Sequence, residues 1–205
     1  MLEVAVASFL VGSVPFGYLI GRLFYRTDIR VEGSGNIGAM NALRTLGKAG
    51  AVAVLLLDAG KGLCAVLLTM LWLHAMPWAQ TATSLAAACA VMGHCFSPWL
   101  GWRGGKGVAT SFGAIFGLAW PVGLIAVGGW LLGVLATRYS SVGSMLGSVL
   151  APVGFWLLTR SVPETVYAAF AAVLIFYTHR ANIGRLRAGT ESSIRGKMHS
   201  ESQGR

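Results

Sequence analysis

Three short polar stretches hold most of the residues in this chain whose types and spacing suit chemistry, and each suits the handling of an anion. The first is Gly33-Ser-Gly-Asn-Ile-Gly38, running into Ala39–Leu46. It meets the G-x-G-x-x-G pattern, and Asp58 stands twenty residues past Gly38, as in a dinucleotide fingerprint. That fingerprint has content only inside a strand–turn–helix unit. Here both flanks are apolar runs, so the dinucleotide reading fails. What survives is that Gly33, Gly35 and Gly38 let successive N–H groups face one concavity beside Ser34 and Asn36, at a helix start that favours negative charge. Asn41 and Arg44 are three apart and share a helix face. The plainer alternative is a flexible glycine turn before an interfacial helix.

The second stretch is Gly101-Trp-Arg-Gly-Gly-Lys-Gly107, leading into Val108-Ala-Thr110. It resembles a P-loop and fails its spacing: Lys106 is followed by Gly107, and Leu100 stands where a glycine is required. Hydrolysis of ATP or GTP is therefore not supported. Gly104, Gly105 and Gly107 around Lys106, with Thr110 behind them, still offer a phosphate backbone donors and a point charge. The third stretch is His179-Arg-Ala-Asn-Ile-Gly184 with Arg185, where His179 and Asn182 face the same way on a continuing helix. Asp58 and Lys61 form an i,i+3 pair within an apolar run, where an isolated charge costs about 2.5–3.5 kcal/mol. Cys64, Cys89 and Cys95 match no zinc spacing and cannot build a disulfide framework; they read as small buried hydrophobes. No metal or cofactor is expected.

The elements that must position these residues are membrane spans. Hydrophobic residues make up 55% of the 205, charged residues only 11%, and 28 are glycine; a soluble chain carries about 25% charged residues and about 7% glycine. The apolar residues gather in runs near the ~20 needed to cross a ~30 Å hydrocarbon layer: Leu2–Phe24, Ala49–Leu73, Trp78–Cys95, Val108–Thr137, Val142–Thr159 and Val166–Thr178. They lack the alternation of a barrel. The expectation is one membrane-embedded domain over 1–205, all-α, with a flexible basic tail from about 190 to 205. The N-terminus has no basic n-region and reads as a retained first span.

The fourth run is too long for one span, and Trp120-Pro121 lies in its middle, where proline breaks or kinks a helix. The basic residues choose between six spans and seven. With a split at Pro121, 14 of the 16 Lys and Arg fall on one face, leaving Lys61 inside a span and Arg160 outside, opposite Glu164. Cytoplasmic connections carry this excess, so the sequence predicts about seven transmembrane helices, N-terminus out and C-terminus in, with re-entrant or interfacial segments at the cytoplasmic face. Val108–Trp120 is the short piece, about 20 Å at 1.5 Å per residue. The net charge of +9 is thus a topology signal. No basic face on a soluble domain points to nucleic acid.

The run Ser34-Gly-Asn-Ile-Gly-Ala-Met-Asn-Ala-Leu-Arg-Thr-Leu-Gly47 resembles the first motif of the bacterial acyl-phosphate:glycerol-3-phosphate acyltransferases, the PlsY family. Gly93-His-Cys-Phe-Ser-Pro98, continued by Gly104-Gly-Lys-Gly-Val-Ala-Thr110, is similar to the second motif. His179, Asn182, Gly184 and Arg187, followed by Gly189, Thr190 and Glu191, resemble the third. One departure is Met40, where the family often has threonine.

The resemblance implies a seven-helix enzyme of the bacterial cytoplasmic (inner) membrane, its active site facing the cytoplasm. It implies transfer of a fatty acyl group from acyl-phosphate to sn-glycerol 3-phosphate, giving lysophosphatidic acid for phospholipid synthesis. The partners implied are the two substrates and the bilayer, with the soluble enzyme that makes acyl-phosphate as a candidate docking partner. Ser34, Arg44, Lys106, His179 and Asn182 are the expected catalytic set. Gly33, Gly35, Asn36, Gly38, Asn41, Gly104, Gly105, Gly107 and Thr110 are expected at substrate, and Asp58, Lys61 and His94 in support. The residues agree on their own terms: acyl-phosphate is already activated and demands no covalent acyl-enzyme. With Asp28 and Asp58 the only aspartates, the His-x4-Asp pair of acyl-CoA-dependent acyltransferases cannot form. The competing class is a transporter of an anionic metabolite, but such proteins usually show internal repeats and broken helices at the midplane. Here the polar motifs cluster on one face.

Overall fold

A computed structural model describes residues 1–194, and their regular structure is entirely helical. The part of the expected basic tail at 195–205 lies outside the described residues. The first apolar run forms α1 (Leu2–Ser13) and α2 (Phe16–Phe24), separated where Pro15 removes an N–H and ends the helical ladder. A break inside an apolar segment strands carbonyls that nothing in lipid can satisfy. They are met from elsewhere in the chain: Ser97 Oγ donates to Ser13 O at 2.7 Å, and Lys61 Nζ to Val14 O at 2.8 Å.

After the first polar stretch come α3 (Ala39–Thr45), α4 (Gly47–Leu73) and α5 (Ala79–Cys95). A short 3-10 turn (Pro98–Leu100) enters the second stretch. The long run then divides into α6 (Val108–Leu118) and α7 (Trp120–Thr137). The break falls at Ala119, in extended backbone, with Pro121 in the first turn of α7, where a missing N–H has no helical partner to lose. The last elements are α8 (Ser140–Leu158), α9 (Val162–Thr178) and α10 (Arg180–Arg187).

Hydrogen bonds between element ends fix the directions of these apolar segments. Lys106, just before α6, reaches Asn182, just after α9, and Ile194 N donates to Arg138 O, just after α7. At the opposite end, Gln80 at the start of α5 and Thr159 after α8 both reach the carboxylate of Glu164 at the start of α9. Counting α1–α2 as one, seven apolar segments alternate in direction, and the three polar stretches share one end.

Leu2–Phe24, Gly47–Leu73, Trp120–Thr137 and Ser140–Leu158 are long and apolar enough to cross a membrane. At 11 residues, α6 is only about 16 Å long. It is buried against α4, with Gly62 facing the Thr110 carbonyl and Gly113 facing Ala59 backbone.

The outward surface of the bundle is apolar: Leu135 is 78% exposed and Val173 71%. An exterior this apolar, on helices long enough to cross a bilayer, suits lipid, and the chain is an integral membrane protein. Lipid tails compete equally for apolar side chains, so helices in such a medium associate through small residues that let backbones approach. Accordingly α7 and α8 meet through Gly129, Gly133, Gly143 and Gly147, and α1 meets α5 through Gly12 against Ala90. The cysteines depart partly from expectation: Cys95 is buried, but Cys64 faces outward.

Candidate active site

The loop carrying Lys106 is folded onto the end of α5. Gly104 N donates to Cys95 O and Gly105 N to His94 O, both at 3.0 Å. Thr178 Oγ1, at the end of α9, lies 3.0 Å from Lys106 O. Gly107 begins α6 at φ +83°, in the left-handed region that favours glycine. The loop is recessed. His94, against which it folds, lies 3.5 Å from Asp58, which is eleven residues past Gly47 at the start of α4, or about 16 Å along that helix.

From this loop Lys106 Nζ donates to Asn182 Oδ1 at 2.5 Å. Burial pulls the Lys106 ammonium down to about 8; the Glu191 carboxylate opposes this, and the positive charges of Arg185 and Arg44 add to it. Residues from all three polar stretches therefore act on one ammonium group.

Asn182 is itself held from behind. Its Nδ2 donates to Glu191 Oε1 at 2.5 Å, and since a carboxylate only accepts, the amide is locked with Oδ1 toward Lys106. Glu191 also accepts from Ser141 Oγ at 2.9 Å and Arg185 Nε at 2.7 Å. Burial pushes its carboxyl up, but the Asn182, Arg185 and Ser141 donors together outweigh that and hold it below the usual range. Residues 190–194, expected as the start of a flexible tail, are thus fastened to α7, α8 and α10. His179 caps α10 with Nδ1 2.8 Å from Ile175 O. A carbonyl only accepts, so Nδ1 carries the proton and Nε2 the lone pair. Burial, reinforced by the Lys106 charge, takes this imidazole down to about 4.

The first stretch is folded on itself. The glycine N–H groups turn inward to fold their own loop: Gly35 N donates to Glu32 O and Gly38 N to Asn36 Oδ1. With Gly104 and Gly105 engaged in the same way, these glycines shape the loops and do not form a cradle of free donors. Asn41 was expected at substrate. It is 1% exposed, accepts from Ser34 N, and donates to Ile29 O and Glu32 O. A left-handed Gly33 lies against the same amide. Asn41 is the clamp of this loop because its short amide supplies acceptor and donors at once. Thr110 is wholly buried in α6, away from any open surface. Ser34 is exposed, and Arg44 and Met40 are half-buried on α3. Asp58 and Lys61 pair at 2.8 Å within α4, both buried.

The model of the glycerol-3-phosphate acyltransferase family matches residues 2–189. The chain belongs to that family. Among its acyltransferase relatives, one from Synechococcus sp. (strain JA-2-3B'a(2-13)) is 47% identical over 94% of each chain. Another, from Paramagnetospirillum magneticum, is 45% identical over the full length of both. Two solved structures of PlsY, an integral membrane glycerol 3-phosphate acyltransferase, superpose on this fold. The glycerol 3-phosphate form gives a TM-score of 0.87 at 34% identity, covering 94% of each chain. The lysophosphatidic acid form gives 0.85 at 32% identity and 95% coverage of each.

Sequence reasoning missed the residues that hold this candidate site in shape. Glu191 was noted only as following the third motif, and Ser141 and Thr178 carry no local pattern. An acidic residue closing a basic stretch was the one available signal.

Proposed function

We propose that this chain transfers a fatty acyl group from acyl-phosphate to sn-glycerol 3-phosphate, giving 1-acyl-sn-glycerol 3-phosphate and inorganic phosphate. The observation that carries the reading is the meeting of Lys106, Asn182, His179, Arg185 and Arg44, from three distant stretches, at one recessed end of an apolar helical bundle. Lys106 and Arg44 neutralise phosphate and the oxyanion that develops on the acyl carbonyl, as charges fixed in advance. Ser34 offers its hydroxyl to phosphate, and the glycines of loops one and two hold these side chains in place. The glycerol 3-phosphate and lysophosphatidic acid forms of PlsY support the acceptor and the product.

The acceptor hydroxyl oxygen attacks the acyl carbonyl carbon, and the bond from that carbon to the phosphate oxygen breaks. Phosphate leaves with the bonding pair, and the hydroxyl proton passes to an acceptor oxygen or nitrogen. His179 Nε2 and Asn182 orient the hydroxyl. At about 4, His179 is a weak base at neutral pH, whereas the second ionisation of a phosphate monoester lies near ~6. A substrate phosphate oxygen is accordingly the better proton acceptor. A cleft of about 260 Å³ between Val14, Pro15, Tyr18, Leu19, Trp99 and Leu100 opens beside loop two and suits the first methylenes of the donor.

The three polar stretches face the cytoplasm in this reading, with seven crossings and the N-terminus outside, on the positive-inside argument. The basic face suits both a soluble acceptor and docking of the soluble enzyme that makes acyl-phosphate. The bacterial inner membrane is the compartment that fits. The testing experiment offers labelled glycerol 3-phosphate to the detergent-solubilised protein with palmitoyl-phosphate and, separately, palmitoyl-CoA. Product from the phosphate donor alone is expected. Product from neither, with the protein folded, overturns the reading in favour of a transporter.

A further inference from the structure

Beneath the Lys106 loop lies a buried set of ionisable side chains that touches none of the reacting groups. Asp58, Lys61 and His94 are 1%, 4% and 3% exposed. Lys61 Nζ sits 2.8 Å from Asp58 Oδ1, and His94 Nδ1 is 3.5 Å from the same oxygen. Lys61 also donates to Val14 O at the break between α1 and α2. Such a set is expensive inside a membrane protein, and well-packed apolar residues are often as stable or more so. Its geometry shows where it acts.

The Nε2 edge of the His94 ring lies against Gly105. A Cβ on Gly105 would overlap His94 Nε2 and stand 2.7 Å from Cε1. The His94 carbonyl meanwhile receives Gly105 N. His94 thus holds Gly105 twice, through its backbone and through its ring, and the next residue is Lys106. Ser97, from the same segment, is tied to Ser13 O beside the Lys61 anchor. The set therefore links the helix break, α4 and α5 to the loop that carries the ammonium group.

We propose that Asp58, Lys61 and His94 are a positioning network: Asp58 and Lys61 set the plane of the His94 ring, the ring fixes Gly105, and Gly105 aims Lys106 at Asn182 and the bound phosphate. This rests on the reading of Lys106 as a phosphate-binding group. A misplacement of about 1 Å at a reacting group can cost roughly 100-fold in rate, so a ring that only packs still governs kcat/KM.

The test is a double-mutant cycle of His94→Ala and Gly105→Ala on the full chain in detergent, with palmitoyl-phosphate as donor and thermal unfolding followed in parallel. Each single variant loses at least tenfold in kcat/KM for glycerol 3-phosphate, more through KM than kcat. The double variant loses less than the product of the two, because the new methyl group enters the space the ring vacated. His94→Gln, whose amide reaches the place of Nε2, retains more activity than His94→Asn, which reaches only that of Nδ1. Asp58→Leu with Lys61→Met, which leaves no lone buried charge, shows the same KM-weighted loss. Losses that multiply, or a His94→Ala protein with wild-type kinetics, overturn the network. A readout that needs no turnover is the rate at which a small acylating reagent labels Lys106 at pH 8, read by mass spectrometry. It changes at least threefold in His94→Ala, and an unchanged rate overturns the proposal. A wild-type protein that transfers no acyl group overturns the functional reading instead, leaving the labelling result to judge the network.

Discussion

Lys106 Nζ donates to Asn182 Oδ1 across 76 residues of sequence, joining the glycine loop before α6 to the helix after α9. The contact fixes both partners. Asn182 cannot turn its amide, because Glu191 takes the other end. Lys106 stands in a low-dielectric recess with Arg44 and Arg185 near enough to lower its proton affinity. Among the described residues no carboxylate pairs directly with this ammonium group, which leaves it suited to an incoming phosphate.

The first prediction concerns pH. With burial pulling Lys106 down to about 8 in the free enzyme, its charge is present below that pH and lost above it. The kcat/KM for glycerol 3-phosphate therefore declines as pH rises through about 8. A bound phosphate favours the protonated form, so the corresponding fall in kcat lies at higher pH. Lys106→Arg, charged throughout, removes the basic limb while lowering the rate through altered geometry. A pH–rate profile of wild type and variant checks this, and a limb that persists unmoved in the variant contradicts it.

The second concerns Glu191. Glu191→Gln keeps the size of the side chain, removes the charged acceptor and frees the Asn182 amide to rotate. Hydrogen bonds to charged groups contribute about 1.5–3 kcal/mol, so kcat/KM is expected to fall roughly tenfold or more. Thermal unfolding separates this from a loss of fold, and unchanged kinetics at the substituted position count against the lock.

How much of this was legible in the sequence follows from what each residue reports. The break at Trp120-Pro121 was readable because proline acts locally and because basic residues reveal sidedness; the structure divides the run one residue earlier, at Ala119. The three stretches were readable because clustered glycines with lysine, arginine or histidine interrupt the apolar runs on the basic side. Their internal wiring was not. Glycine spacing cannot say whether an N–H faces a ligand or its own loop, and Gly35, Gly38, Gly104 and Gly105 all face inward. The roles of Asn41 as a clamp and of Glu191 as a lock depend on partners 6 to 50 residues away, a distance that no local pattern encodes.

The third prediction concerns the packing of α7 on α8. A side chain on Gly147 would run into the Ala126 carbonyl, so Gly147→Leu forces the helices apart. The cost expected for such overpacking is about 1–3 kcal/mol. Gly128, on the exposed face of α7, has nothing within 4 Å of where a Cβ would stand. There Gly128→Ala is expected to stabilise by roughly 0.5–1 kcal/mol through helix propensity. Unfolding midpoints of both variants in one detergent give the comparison, and equal midpoints contradict the small-residue interface.

The most direct measurement is turnover by Lys106→Met beside wild type, following inorganic phosphate and lysophosphatidic acid together from palmitoyl-phosphate and glycerol 3-phosphate. Wild type releases the two products one for one. The variant, with an unchanged unfolding profile, loses a factor of about 100–1,000 or more in kcat, the scale of removing one fixed stabiliser of a developing oxyanion. Near wild-type turnover by a folded Lys106→Met protein contradicts a phosphate-handling centre built on Lys106.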